Sequence, residues 1–432
     1  MTSNRRQASS WQSTGLAGGL PLIWQHRPGP EIVASQLWIR GGSSGDQPGQ
    51  RGAAQLLAGL MTRGCAEYDA EALADLVEGR GASLRCEASE DSLMLSLKCA
   101  SSDAEHLLPL LVQMVRGPWL SQDQFELERN LNLQNLQRHC EDPFQLAHDQ
   151  LRQQLFGKGP YGHDPLGVEQ ELAELKRDQI AALVPPLGAG GAVLVACGDL
   201  PAQLAGGIDG ALRRFPWSTA APRYEPGPLA TPCDRPIALL EQNTEQLVLM
   251  LGFATVPLGD PDALALRVLH AHLGMGMSSR LFVALREERG LAYDVGAYLP
   301  ARRGATPLIW HLSTSADRAG EATTALLEEW QILLETPLGP AELALAKAKY
   351  RGQDAMARQT CSQIAEQQAL VLGHGLGEGF ISECLERVER LDAATLLAVA
   401  QRHLGAPVIS LCGPSVALDA AQRAWQSHPL TG

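Results

Sequence analysis

Apolar residues along this chain recur with two periods. Gly52 to Met61 and Ala70 to Glu78 carry them at three- and four-residue spacing, as one face of a helix does. Ala82 to Lys98 alternates as a strand does, with a break at Glu90-Asp91. Gln36 to Gly42 and Leu247 to Ala254 are apolar runs of strand length, and Asp123 to Leu155 is rich in helix formers, interrupted at Asp142-Pro143. The pattern also repeats at an offset of about 210. Gln36 to Gly42, ending near Gly45-Asp46, corresponds to Leu247 to Phe253, ending at Gly259-Asp260; Arg80-Gly81 corresponds to Arg289-Gly290, and Val193 to Gly198 to Val408 to Gly413. Each half reads as a strand, a helix, an Arg-Gly turn into a strand, another strand, a long helical stretch and a final strand. The prediction is an α+β fold of two homologous half-repeats, each an antiparallel-rich sheet with helices packed on one face. Pro222, Pro226, Pro228, Pro232 and Pro236 mark 217–236 as a linker between an N-terminal repeat, 1–216, and a C-terminal repeat, 237–432.

Composition narrows the function. The 432 residues are 45% hydrophobic and 19% charged, which suits packed globular domains. A net charge of -13 argues against a nucleic-acid backbone as ligand, because that affinity comes from clustered cations. The longest apolar runs have strand length, so no membrane span is predicted, and Arg5-Arg6 precede no apolar core of a signal peptide. Nine cysteines, at 65, 86, 99, 140, 197, 233, 361, 384 and 412, form no CxxC pair and are odd in number. That usage favours reduced thiols and a cytoplasmic location.

The segment Gly52 to Gly64, following Leu37-Trp38-Ile39-Arg40-Gly41-Gly42-Ser43, resembles the zinc helix of the insulinase-like (pitrilysin) metallopeptidases. That family writes this helix His-x-x-Glu-His. Two histidines four positions apart share a helix face and a metal, and the Glu acts as base on the metal-bound water. Here the three positions read Gln55, Ala58 and Gly59. The family's third ligand is the second Glu of Glu-(x)6-Glu; the first matches Glu128, while the ligand position reads Asn135. Amide, methyl, hydrogen and amide supply neither a zinc site nor a base, so no metal is expected in this chain. His270 and His272 stand two apart on a predicted helix and point apart, and His139, His163, His374 and His403 follow no ligand spacing. The edge-strand Asn-Ala of the family reads Arg85-Cys86, which weakens the case for peptide pairing there.

The second half keeps more. Met277-Ser-Ser-Arg-Leu-Phe282, through Leu285-Arg-Glu-Glu-Arg-Gly-Leu-Ala-Tyr-Asp-Val295, closely resembles the family's C-terminal signature. The resemblance spans roughly residues 15 to 415. In that family an Arg and a Tyr seven residues apart hold substrate at the zinc site, and they match Arg286 and Tyr293. A guanidinium and a phenol there can orient a peptide carbonyl and stabilise developing negative charge. The competing reading pairs Arg286 with Glu287 or Glu288 on a helix surface and packs Tyr293 in a strand. Gly274 and Gly276 precede no Gly-Lys-Ser/Thr, so a phosphate loop is not indicated. The resemblance implies the non-catalytic subunit of a heterodimeric zinc peptidase, whose zinc-bearing paralogous partner carries the metal. The rival is an inactive structural or peptide-binding homodimer or complex subunit.

Overall fold

A computed structural model describes residues 10–219 and 236–431. Most of the proline-rich segment, with Cys233, lies outside the described residues. Trp217, the first residue of that segment, is buried in the first core.

In chain order the first half forms β1 (Gln12–Gly15), β2 (Pro21–His26), β3 (Ile32–Arg40), α1 (Ala53–Met61), β4 (Gly64–Cys65), β5 (Tyr68–Asp69), α2 (Ala70–Glu78), β6 (Ser83–Ala88) and β7 (Ser92–Ala100). It continues with α3 (Ala104–Arg116), α4 (Gln122–Glu141), α5 (Pro143–Phe156), α6 (Glu169–Glu174), α7 (Arg177–Ala181), β8 (Ala192–Gly198) and α8 (Leu204–Arg214). The second half forms β9 (Ile237–Glu241), β10 (Gln246–Thr255), α9 (Ala263–Gly274), a π-helix (Phe282–Glu288), β11 (Asp294–Tyr298) and β12 (Thr306–Ser315). It ends with α10 (Ala319–Glu335), α11 (Pro340–Met356), α12 (Cys361–Gly373), α13 (Phe380–Arg390), α14 (Ala393–His403), β13 (Val408–Gly413) and α15 (Ser415–Ser427).

The two sheets share a five-strand topology, to which the first adds β1 at its edge. The first runs β1-β2-β8-β3-β7-β6 and the second β9-β13-β10-β12-β11. In each, the first strand of the shared order pairs in parallel with the last strand of its half, β2 with β8 and β9 with β13. The other neighbours are antiparallel. The fold is thus α+β, with two repeats of one antiparallel-rich sheet.

The chain divides into two compact units that exchange segments. One takes the chain up to Leu136, residues from Asp164 to the end of the first described stretch, and Ala355–Phe380; the other takes Gln137–His163, the chain from Pro236 to Asp354, and the remainder from Ile381. The units therefore differ from the contiguous halves 1–216 and 237–432: α12 belongs with the first sheet and α5 with the second. Alternation explains the exchange. In β3, Leu37 and Ile39 face the main helical layer with α1 and α3, while Trp38 faces the other side together with Val193, Val195 and Cys197 of β8. Ile364, Ala365 and Ala369 of α12 cover that second apolar surface. In the second sheet, Ala147, Leu151 and Leu155 of α5 cover Val248, Met250 and Cys412. The opposite face carries Phe253 stacked near Trp310 and Trp330, with ring centroids 5.9 and 6.5 Å away.

Both exchanged helices fit through a glycine. Leu151 of α5 packs into the space left by Gly252, where a Cβ would stand 2.9 Å from its methyl carbons. At Gly373 of α12 a Cβ would overlap the Trp38 ring, which is 2% exposed. Gly373→Ala is expected to lower stability by about 1–3 kcal/mol through overpacking, read as a lower urea midpoint at unchanged m-value. In the double variant with Trp38→Leu the two effects should be less than additive. Additive losses would mean that Gly373 and the indole do not share one packing constraint.

Candidate functional site

α1 starts where the chain turns through Gly52, at φ 106°, with Asp46 accepting from the Gly52 and Ala54 amides at 2.8 and 3.0 Å. Burial pushes the Asp46 carboxyl up to about 7, against the pull of those amides. Ala58 and its neighbours Leu56, Leu57 and Leu60 are buried in the core, while Gln55 and Gly59 are half-buried. The space beside Gly59 belongs to Glu128 of α4: a Cβ at Gly59 would stand 3.0 Å from the Glu128 Cδ and closer still to Oε2. Arg63 donates to that carboxylate from Nε at 2.6 Å and places Nη2 at 2.5 Å. Glu128 is buried, whereas Asn135, two turns further along α4, is exposed. An ion pair therefore stands against the helix face where a metal-binding side chain would have to grow.

The segment from Arg280 to Tyr293, which contains the π-helix, carries the second set of candidate groups. Arg280 grips Glu329 of α10 with both a 2.5 Å Nε and a 3.0 Å Nη2 contact, and the Glu329 side chain is only 2% exposed. Leu281 and Leu285 are buried, and the Leu291 amide donates to the Leu285 carbonyl at 2.8 Å. Between them the chain reverses at Gly290, at φ 59°, whose carbonyl accepts from Arg318 Nη1 at 2.8 Å. The Tyr293 amide donates to the Ser313 carbonyl at 3.0 Å, fixing the residue just ahead of β11. Arg286 and Tyr293 are brought together: the guanidinium carbon lies 5.8 Å from the Tyr293 ring centroid and 5.0 Å from that of Phe282. Such stacking aligns a cation on aromatic faces and leaves its N–H edge available. Arg286 is exposed and enters no ion pair with Glu287 or Glu288, and Tyr293 is 77% exposed. The helix is a π-turn rather than an ordinary one, a geometry common at functional positions.

The sequence reading missed the Arg280–Glu329 anchor. Its signal was present: Leu326, Glu329, Trp330 and Leu333 share core spacing on α10, so a carboxylate stood where an apolar residue belongs. Beside the anchor, a cavity of about 190 Å³ is lined by His272, Glu342 and Leu338. Burial pushes His272 down to about 4, so it is neutral at pH 7. His270 bonds the Ala297 carbonyl at 3.0 Å, and His403 bonds Asp262 at 2.8 Å. Trp38 meets His374 edge-on, and Arg152 donates to the His163 carbonyl at 2.7 Å.

Two family profiles match the chain in tandem. "Insulinase (Peptidase family M16)" covers residues 22–167, and "Peptidase M16 inactive domain" covers 187–350. The chain belongs to the insulinase, or M16, peptidase family. An uncharacterized zinc protease of Mycobacterium bovis is 24% identical over 425 residues, 95% of each chain. A protein of Helicobacter pylori described as a non-peptidase homolog is 24% identical over 379 residues, 86% of each. The crystal structure of a peptidase M16 inactive domain from Pseudomonas fluorescens shares the fold at a TM-score of 0.86, with 23% identity, covering 94% of this chain and 98% of that one.

The M16 zinc does not fit the donors on α1 and α4. Gln55, Gly59 and Asn135 offer two neutral amides and no third side chain, and Glu128 is engaged by Arg63. Among the described residues no group of three or more His, Cys, Asp or Glu is placed to hold a metal ion. The expected outcome of elemental analysis on the dialysed chain is far less than one zinc per molecule. A stoichiometric zinc that disappears in Gln55→Ala would contradict this.

Proposed function

We propose that this M16 chain is the non-catalytic, substrate-positioning subunit of a two-chain zinc peptidase acting on peptides or unfolded segments. In this reading Arg286 and Tyr293 serve a zinc ion held by a paralogous partner. One observation carries it: the metal and base positions read Gln55, Ala58, Gly59 and Asn135, while Arg286 and Tyr293 remain exposed, mutually stacked and outside any ion pair among the described residues. A purely structural Arg on this surface has Glu287 and Glu288 beside it in sequence, yet it lies over two rings instead. The guanidinium supplies fixed positive charge and the phenol a hydroxyl donor, so a carbonyl oxygen can be oriented and its developing charge stabilised. Dimerisation with the zinc-bearing chain follows, because the groups here complete no reaction by themselves.

The cysteine usage supports a reducing, cytoplasmic setting, and no helix among the described residues is long and apolar enough to cross a membrane. The relative described as a non-peptidase homolog favours a second reading, in which the chain binds peptide or builds a complex with no proteolysis. The two separate on Arg286 and Tyr293. In a complex with a family member that carries His-x-x-Glu-His, Tyr293→Phe and Arg286→Ala should each lower kcat for peptide cleavage by about 10² to 10³. Assembly by light scattering and zinc content should stay unchanged. Wild-type cleavage rates in both variants would favour the structural reading.

A further inference from the structure

Outside the candidate site, one pair of nucleophilic side chains joins the two halves of the sequence. Cys197 lies on β8 of the first half and Cys361 is the first residue of α12, from the second half. Both belong to the small core between the second face of the first sheet and α12, where Cys361 packs against the cluster holding Cys197, Trp38, Val195 and Ile364. Within that core the Cys197 thiol is close enough to Cys361 and to the Arg27 guanidinium for both to act on it, Cys361 disfavouring its thiolate and Arg27 favouring it. Thr360 caps α12 by accepting from the Gln363 amide at 3.2 Å, which fixes the turn that presents Cys361. Cys197 is fully buried and Cys361 half-buried, so a reagent reaches the pair through Cys361.

We infer that Cys197 and Cys361 form a redox-responsive modification site, at which a low-molecular-weight disulfide of the glutathione type converts the pair to an intramolecular disulfide that staples α12 to β8. The chemistry balances in two exchanges. The Cys361 thiolate attacks one sulfur of the small disulfide, forming a mixed disulfide and expelling one small thiolate. Cys197 then loses its proton, attacks the Cys361 sulfur and expels the second. Two protein thiols are oxidised to one disulfide, one small disulfide is reduced to two thiols, and the protons end on the thiols released. Burial pushes Cys197 up to about 12, so it serves as the slower, resolving sulfur, while the positive charge of Arg27 offsets the negative charge of its thiolate and the proton goes to solvent or to the released thiolate. Reduced thiols are the resting state in a reducing compartment, where such bonds form as redox responses.

The second unit supplies an internal comparison. Cys412-Gly413 ends β13 as Cys197-Gly198 ends β8, and Cys412 likewise lies under the exchanged helix. That helix, α5, begins with Pro143, and its cap residue is the acidic Asp142. Among the described residues no other cysteine belongs to the core around Cys412, and burial pushes it up to about 11.

The test treats the purified full-length chain with glutathione disulfide at graded ratios to glutathione. Free thiols are counted, disulfides are located by peptide mass spectrometry, and urea midpoints are compared. The inference predicts loss of one thiol pair, a Cys197–Cys361 cross-linked peptide, untouched Cys412, and a higher midpoint for the oxidised chain, since closing a long loop restricts the unfolded state. Cys361→Ser, at a half-exposed position that folding tolerates, should abolish both the cross-link and the midpoint shift; Cys197→Ser should do the same. Glutathione remaining on Cys361, a bond from Cys361 to another cysteine, or a midpoint shift that persists in Cys361→Ser would each overturn it.

Discussion

The fold depends on covering two sheets that are apolar on both faces. Every residue of β8 is buried, and β10 is buried without interruption from Leu247 to Phe253. A strand with one wet face alternates, so a continuous apolar run requires a layer on each side. The main helical layer of each repeat supplies one side. The other is met by a helix from the opposite half, α12 over Trp38 and Val195, α5 over Val248 and Met250. Neither half of the sequence completes its own core, so the duplicated halves must fold together. Gly373 and Gly252 set how closely the two borrowed helices approach.

That framework makes the two candidate regions differ in kind. On α1 the glycine at 59 admits a buried carboxylate, and Arg63 neutralises it, so the place of a metal ligand has become a structural ion pair. Around the π-helix the same kind of interaction does the opposite. Arg280, itself partly exposed, neutralises the buried Glu329, while Arg286, six residues later, is stacked and accessible. The charged residue that is buried and paired is the support; the one that is exposed and unpaired is the candidate for substrate.

Much of this was legible in the residues. α2 occupies Ala70–Glu78 as its spacing requires, the break at Glu90-Asp91 separates β6 from β7, and Asp142-Pro143 separates α4 from α5. The repeat predicted the common topology of the sheets. Helix exchange was not legible, because an apolar helix stripe on α5 or α12 states that a surface is buried, not which sheet buries it. The loss of the zinc ligands followed from residue types at Gln55, Gly59 and Asn135, whereas the Glu128–Arg63 pair that fills the space is a three-dimensional fact. The π-helix also escaped notice, since its apolar positions read equally well as an ordinary helix.

The central claim is that this chain contributes groups to peptide hydrolysis without containing a metal centre. The direct measurement is peptide cleavage by the purified chain, by an M16 member with the complete His-x-x-Glu-His helix from the same organism, and by their mixture at equal concentration. The account predicts negligible turnover by either protein alone and turnover on mixing that a chelator abolishes. Cleavage by this chain alone, or a rate for the zinc-bearing chain that mixing leaves unchanged, would contradict it.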